Sequence, residues 1–111
     1  MLNSIVLAGH LGEDPKVSYG GDGGAIATFS FAFHANGNKE KAAGWIKVVC
    51  FKSLADVCQK FLAKGDKIAI TGILEENIWT KDGITKKNLQ IVAQNIEFIQ
   101  LKKEQPRTGK R

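Results

Sequence analysis

Trp45, Lys47, Val49 and Phe51 occupy alternate positions of the run Gly44-Trp45-Ile46-Lys47-Val48-Val49-Cys50-Phe51-Lys52. At the two-residue period of a β-strand they share one face, with same-face neighbours about 7 Å apart. Flat rings spaced along an exposed strand can take the faces of nucleic-acid bases, and an ammonium group beside them can take a phosphate. The opposite face, Ile46, Val48 and Cys50, is plain apolar core. The competing reading makes Trp45 and Phe51 core residues of a sheet buried on both sides. Trp79 bears on the choice, because it precedes Lys81-Asp82-Gly83 and Asp-Gly is the strongest short hairpin signal in the chain. A tryptophan near an exposed hairpin tip, flanked by Lys81, Lys86 and Lys87, has few core neighbours available.

Other chemistries fare poorly. His10 and His34 fall on separate predicted strands, with no serine, cysteine or carboxylate in a triad spacing. Glu13 with Asp14 and Glu75 with Glu76 are adjacent pairs, and adjacent strand residues face opposite ways, so neither makes a catalytic dyad. Gly20-Gly21-Asp22-Gly23-Gly24 lacks the GxxxxGK[ST] pattern and no helix follows it, so it reads as a turn and not a phosphate loop. Cys50 and Cys58 form no metal pattern and no CxxC, and both read as buried free thiols. No catalytic residue, cofactor or metal site is expected.

The chain has 111 residues, 43% of them hydrophobic, enough for one domain with a core that needs no disulfide or metal. No apolar run is long enough to span a membrane, and Met1-Leu2-Asn3-Ser4 leads into no signal-peptide pattern. A cytoplasmic, nucleoid-associated location is expected. The net charge of +5 is unevenly spread. Lys102 to Arg111 carry five cations and one acid, which leaves the remaining residues close to neutral. No arginine precedes Arg107, and lysine, a point charge without arginine's bidentate fork, suits phosphates better than base edges. Binding by this body would therefore rest on stacking and a few local lysines.

The elements that must position these groups follow from period and punctuation. Ser4 to Leu11 reads as a first strand, ended by Gly12 to Pro15, and Lys16 to Tyr19 as a short extended piece. Ala25 to His34 is a second strand with Phe29, Phe31 and Phe33 on one face, followed by a polar, mobile loop over residues 35–43. The aromatic run is the third strand. Ser53-Leu54-Ala55-Asp56 resembles a capping box, and Leu54, Val57, Cys58, Phe61 and Leu62 line one helical face, closed by Lys64 and a Gly65 C-cap. A fourth strand from Lys67 runs into the Asp82-Gly83 hairpin and returns over Lys86 to Ala93. Ile96, Phe98, Ile99 and Leu101 pack a last strand. An all-β fold is expected: a five-stranded OB-fold barrel with one helix between strands three and four, spanning residues 1–101, followed by a basic, disordered tail at 102–111.

Residues 3 to 101 resemble the bacterial single-stranded DNA-binding proteins of the OB-fold type. The resemblance rests on Asn3-Ser-Ile-Val-Leu-Ala-Gly-His-Leu-Gly-Glu-Asp-Pro15, Gly24-Ala-Ile-Ala-Thr-Phe-Ser-Phe-Ala32, Trp45 to Phe51, Leu54-Ala-Asp-Val57 and Leu62-Ala-Lys-Gly-Asp-Lys-Ile-Ala-Ile-Thr-Gly72. It implies sequence-independent coating and protection of single-stranded DNA in replication, recombination and repair, without catalysis. Bases would stack on Trp45, Phe51 and Trp79, and Lys47, Lys52, Lys81, Lys86 and Lys87 would hold phosphates. It also implies a homotetramer in which the first strand pairs between protomers. The alternative is a protein-interaction module of the primosome, similar to primosomal replication protein B.

Three features depart from the family pattern. Asn36, Gly37 and Asn38 stand where a loop tryptophan is common, so that either one stacking site is weaker or His34 or Phe33 fills the place. Ile46 stands where many members have a histidine at the subunit contact. The chain ends Gln105-Pro106-Arg107-Thr108-Gly109-Lys110-Arg111 in place of the acidic-aromatic peptide that recruits replication and repair proteins. Either the natural chain continues past Arg111, or this member does not recruit partners that way.

Overall fold

A computed structural model describes residues 1–34 and 43–101. Most of the expected loop, Asn36 to Asn38 included, and the basic tail lie outside the described residues. The elements are β1 (Ile5–Leu11), β2 (Lys16–Tyr19), β3 (Ala25–Phe33), β4 (Gly44–Phe51), α1 (Lys52–Phe61), β5 (Lys67–Lys81) and β6 (Ile84–Gln100).

The strands form one sheet in the order β1-β5-β6-β4-β3-β2. A further pairing of β1 with β3, His10 to Ala32 and Leu11 to Phe31, closes it into a barrel. Strands β4 and β6 run parallel, with Lys47 beside Gln90 and Val49 beside Val92. Alternation along each strand then sorts side chains into a lumen and an outer wall. Phe29 and Phe31 meet edge to face at 6.2 Å in the lumen. They are buried with Leu11, Val48, Ile68, Ile70 and Ile91.

Helix α1 closes one end of the barrel. Its buried residues are Ala55 and Cys58, with Leu62 buried just beyond its last turn. Leu54, Val57 and Phe61 flank that stripe half-buried, and Phe61 lies 6.2 Å from Phe98. Burial and a hydrogen-bonding thiol partner are the two influences on Cys50: the Cys58 contact first and then desolvation push its thiol far above the ordinary cysteine range. Both thiols are free and buried, so they pack as small hydrophobes, as their positions suggest.

Several boundaries differ from the sequence reading. Lys16–Tyr19 is a full strand, paired with β3 from Lys16–Thr28 to Tyr19–Ala25, so the sheet has six strands and the helix follows the fourth. The expected return and last strands are one strand, β6. A register shift at Thr71/Gly72, where Thr71 faces Asn95 and Gly72 faces Ala93, bends it without ending it. Phe98 and Ile99 stay exposed.

The capping box is not used. Helix α1 starts at Lys52 with an extended Phe51 at its N-cap and no side-chain cap hydrogen bond. Lys52 takes φ +53°, so the chain switches from strand to helix within a single residue. The C-cap is Leu62, not a glycine. Gly65, at φ +92°, instead occupies the third position of a turn in which Asp66 N–H donates to Ala63 C=O at 3.1 Å. That position of a type II turn requires positive φ. The buried Asp66 carboxylate accepts from Ala63 N–H at 2.9 Å and locks the turn.

Candidate nucleic-acid interface

Strand register decides which of the candidate residues share a surface. On β4, Trp45, Lys47, Val49 and Phe51 face outward, opposite Ala32, Ser30, Thr28 and Ile26 of β3. On the other flank Lys47 is level with Gln90 and Val49 with Val92. Through β5–β6 pairing, Gln90 faces Glu75, Asn88 faces Asn77 and Lys86 faces Trp79. Since same-face positions recur every second residue, Trp45, Lys47, Phe51, Lys86, Trp79 and Lys81 lie on one continuous outer wall. Trp45 is 60% exposed, Phe51 45% and Trp79 38%, so the reading that buries these rings in a two-sided sheet fails. Val49 is the exception on this face: wedged between Thr28 and Val92, it is buried.

Trp79 is carried clear of the barrel because β5 and β6 continue as a two-stranded hairpin beyond the end of β4. Asp82 and Gly83 form its tip with φ +54° and +77°, the signature of a type I′ turn, with Lys81 opposite Ile84. The sequence expectation of a hairpin tip at Asp82-Gly83 holds to the residue.

The lysines divide. Lys47 stands beside Trp45 in a groove of about 420 Å³ that also holds Lys16, Ser30, Asn88 and Leu89. Lys81 and Lys86 share the Trp79 face. Lys87 pairs with Ile78 and so projects from the opposite face of the hairpin, where it borders a second groove with Trp45 and Phe33. Lys52 lies apart from the platform, in a hollow with Tyr19, Asp22, Ser53 and Asp56, where two carboxylates offset its charge.

Within the first groove Glu13 is occupied. Its carboxylate accepts from Ser30 N–H at 3.1 Å and pairs with the Lys16 ammonium at 3.5 Å. Glu75 is likewise held, accepting from the Gln90 side-chain amide at 2.8 Å. Among the described residues Lys47 has no carboxylate partner, so the net charge beside Trp45 is positive and available.

Sequence reasoning named Lys86 but missed Asn88 and Gln90 on the polar half of this wall. Lys86, Asn88 and Gln90 alternate along β6, a period-two polar stripe that was there to be read. It also missed what seats Trp45. The indole lies over Gly12: a Cβ at that position would sit 2.3 Å from its Cζ3 and 2.9 Å from Ser30 Oγ. Gly12 N–H donates to Ser30 C=O at 2.9 Å, extending the β1–β3 closure that brings the glycine under the ring.

Known proteins share this architecture. A family model described as the single-strand binding protein family matches residues 2–99. Single-stranded DNA-binding protein 1 of Xylella fastidiosa (strain 9a5c) is 34% identical over 97% of this chain and 85% of its own length. Single-stranded DNA-binding protein 1 of Chlorobaculum tepidum is 31% identical over 88% of this chain, which spans 65% of that relative's length. Among solved structures, the Plasmodium falciparum SSB complex with ssDNA superposes with a TM-score of 0.76 at 25% identity, covering 89% of this chain and 96% of that one.

Proposed function

Because the chain belongs to the single-strand binding protein family, whose members are named for binding and not for a reaction, we propose that it coats single-stranded DNA without sequence preference. The observation that carries the reading is the outer wall itself: three exposed aromatics and the lysines beside them on one face of a rigid barrel. Bases stack on Trp45, Phe51 and Trp79, while Lys47, Lys81 and Lys86 meet phosphates. Lys52 and Lys87 contribute from the margins. Stacking is indifferent to base identity because every base has a π-face, and lysine reads charge and not sequence. Residues 1–101 act as the binding domain and 102–111 as a basic tail that adds charge.

In the cell this activity protects single strands exposed during replication, recombination and repair, on the nucleoid. The working unit is a homotetramer. Support comes from β1, whose residues Ile5 to Ala8 pair, among the described residues, with β5 on one side only, leaving a strand edge there beside the exposed Val6. An open edge is a template for pairing with a second copy. Native mass spectrometry should give a particle of four 12.1 kDa chains, and Val6→Glu should shift it toward smaller species. A monomer at micromolar concentration would remove the tetramer.

Intrinsic tryptophan fluorescence, titrated with oligo(dT), tests the mechanism. Strong quenching that persists at high salt is expected. A stacked base is worth about 1–3 kcal/mol, so Trp45→Ala and Trp79→Ala should each weaken binding by about 5- to 150-fold with the fold intact. Wild-type affinity in both variants would refute stacking as the source of affinity.

A further inference from the structure

The hairpin that carries Trp79 leaves the barrel between two ties. On the β6 side the last pair with β4 is Lys47–Gln90. On the β5 side the ladder with β1 runs from His10–Lys67 to Ile5–Gly72, and among the described residues no strand continues it. The side chain of Asn3 does. Its Nδ2 donates to Leu74 C=O at 2.9 Å, and its Oδ1 accepts from Leu74 N–H at 2.9 Å. A primary amide offers both a carbonyl acceptor and N–H donors, the same complement as a backbone peptide. Asn3 therefore adds one side-chain rung to the β1–β5 ladder, between residues 71 apart in the chain.

Resting on the single-strand reading above, we propose that Asn3 is a positioning residue for Trp79: it sets the angle at which the hairpin leaves the barrel, and so where the indole meets a base. The place of the rung carries the inference first. The register shift at Thr71/Gly72 bends β5 just before Leu74, so a tie beyond the bend is what gives the outgoing strand a direction. Leu74 is held twice, by its side chain against the barrel core and by its backbone on Asn3, whereas Glu75 and Glu76 after it are exposed. Leverage comes next. Trp79 lies five residues past Leu74, about 17 Å at about 3.4 Å per residue, so a tilt of about 10° at the rung moves the ring by about 3 Å. That displacement approaches the separation of two atoms in contact, about 3.5–4.0 Å, and is enough to spoil a stack. The chemistry of the residue completes the case. Aspartate keeps the acceptor, loses the donor and sets a carboxylate against the Leu74 carbonyl. Both hydrogen bonds are exposed, so water replaces them at little cost to the barrel, and what they supply is direction. Trp45 stands on β4, away from this rung.

The experiment uses the two tryptophans as separate reporters. Trp45→Phe leaves Trp79 as the only indole, and Trp79→Phe leaves Trp45. Asn3→Asp is added to each full-length parent, and all four proteins are titrated with oligo(dT) by fluorescence. In the Trp45→Phe parent, Asn3→Asp should reduce the quenching of Trp79 at saturation and weaken binding about fivefold, the low end of what one stacked base is worth. In the Trp79→Phe parent it should change neither the quenching of Trp45 nor the affinity. Amide exchange gives an independent reading: the Leu74 N–H should exchange slowly in the wild type and fast in Asn3→Asp. Unchanged Trp79 quenching and affinity would overturn the proposal and leave the single-strand reading standing. Equal losses in both parents would also overturn it, because Asn3 would then act on the whole barrel or its assembly. If Asn3→Asp does not fold, the wild-type Leu74 amide decides alone, and exchange at the rate of a free strand edge removes the rung. Binding by neither parent would overturn the single-strand reading and this proposal together.

Discussion

Gly12 shows how a residue with no side chain shapes the site. Trp45 is exposed, and an exposed indole on a strand would ordinarily sample several rotamers. Here its ring edge fits the space that a Cβ at Gly12 would fill, 2.3 Å from Cζ3 and 2.9 Å from Cη2. Contacts under 3 Å cannot persist, so in Gly12→Ala something must move, and the far edge of an exposed indole moves at less cost than the β1–β3 backbone. The expected outcome is a protein with nearly unchanged melting temperature whose affinity for oligo(dT) falls roughly tenfold, part of the value of one stacked base. Calorimetry and fluorescence titration measure the two effects separately, and wild-type affinity would mean the seat does not matter. The aromatic positions themselves were legible in the sequence, because strand alternation separates Trp45, Lys47 and Phe51 from Ile46, Val48 and Cys50. The seat was not, because Gly12 reaches Trp45 only through barrel closure, and no local period encodes a contact across the barrel. Lys87 was misplaced for a related reason. Its proximity to Trp79 in sequence suggested one cluster, whereas pairing with Ile78 turns it to the other face.

The β5–β6 hairpin is the element that lifts Trp79 away from the barrel, and its turn is its weakest point. Gly83 adopts φ +77° with nothing within 4 Å of where a Cβ would stand, so substitution costs conformational strain and no clash. Placing an L-residue in the left-handed region costs about 1–2 kcal/mol. Past the end of β4 the hairpin has no neighbouring strand among the described residues, and residues 81–89 are all exposed, so this cost is met by local opening and not by the barrel. Gly83→Ala should accelerate amide exchange over residues 79–86 while exchange in Phe29, Phe31 and Ile70 stays slow. Uniformly faster exchange would mean that the hairpin and barrel unfold as one unit. Asp82-Gly83 was readable in advance because type I′ turns demand residues that tolerate positive φ. The helix start was not readable, because Ser53 and Asp56 offered a good local cap while closure of the barrel required the chain to turn at Lys52. The unity of β6 was hidden for a similar reason: a bulge opposite Thr71/Gly72 looks, in sequence, like a strand end.

At the scale of the whole molecule, charge and stacking separate in sequence. Of the net +5, the ten residues from Lys102 to Arg111 carry +4, and the body that bears the aromatic wall carries only +1. Within that body two carboxylates near the site are already engaged, Glu13 by Lys16 and Ser30, and Glu75 by Gln90, so the lysines of the wall act on a local field that the net charge understates. Each phosphate neutralised on a single strand adds about 0.7 to the magnitude of the slope of log affinity against log salt. The full chain should therefore show a moderate slope, made partly by the wall lysines and partly by the tail. Deleting residues 102–111, which removes five cations, should flatten the slope by up to about 3.5. Quenching of Trp45 and Trp79 at saturation should be the same in both forms, because both rings are carried by β4 and β5. A titration series across salt concentrations with the full and shortened chains reads both quantities at once. An unchanged slope would assign all phosphate contact to the wall, whereas reduced quenching in the shortened chain would mean that the tail helps to hold the strand against the rings.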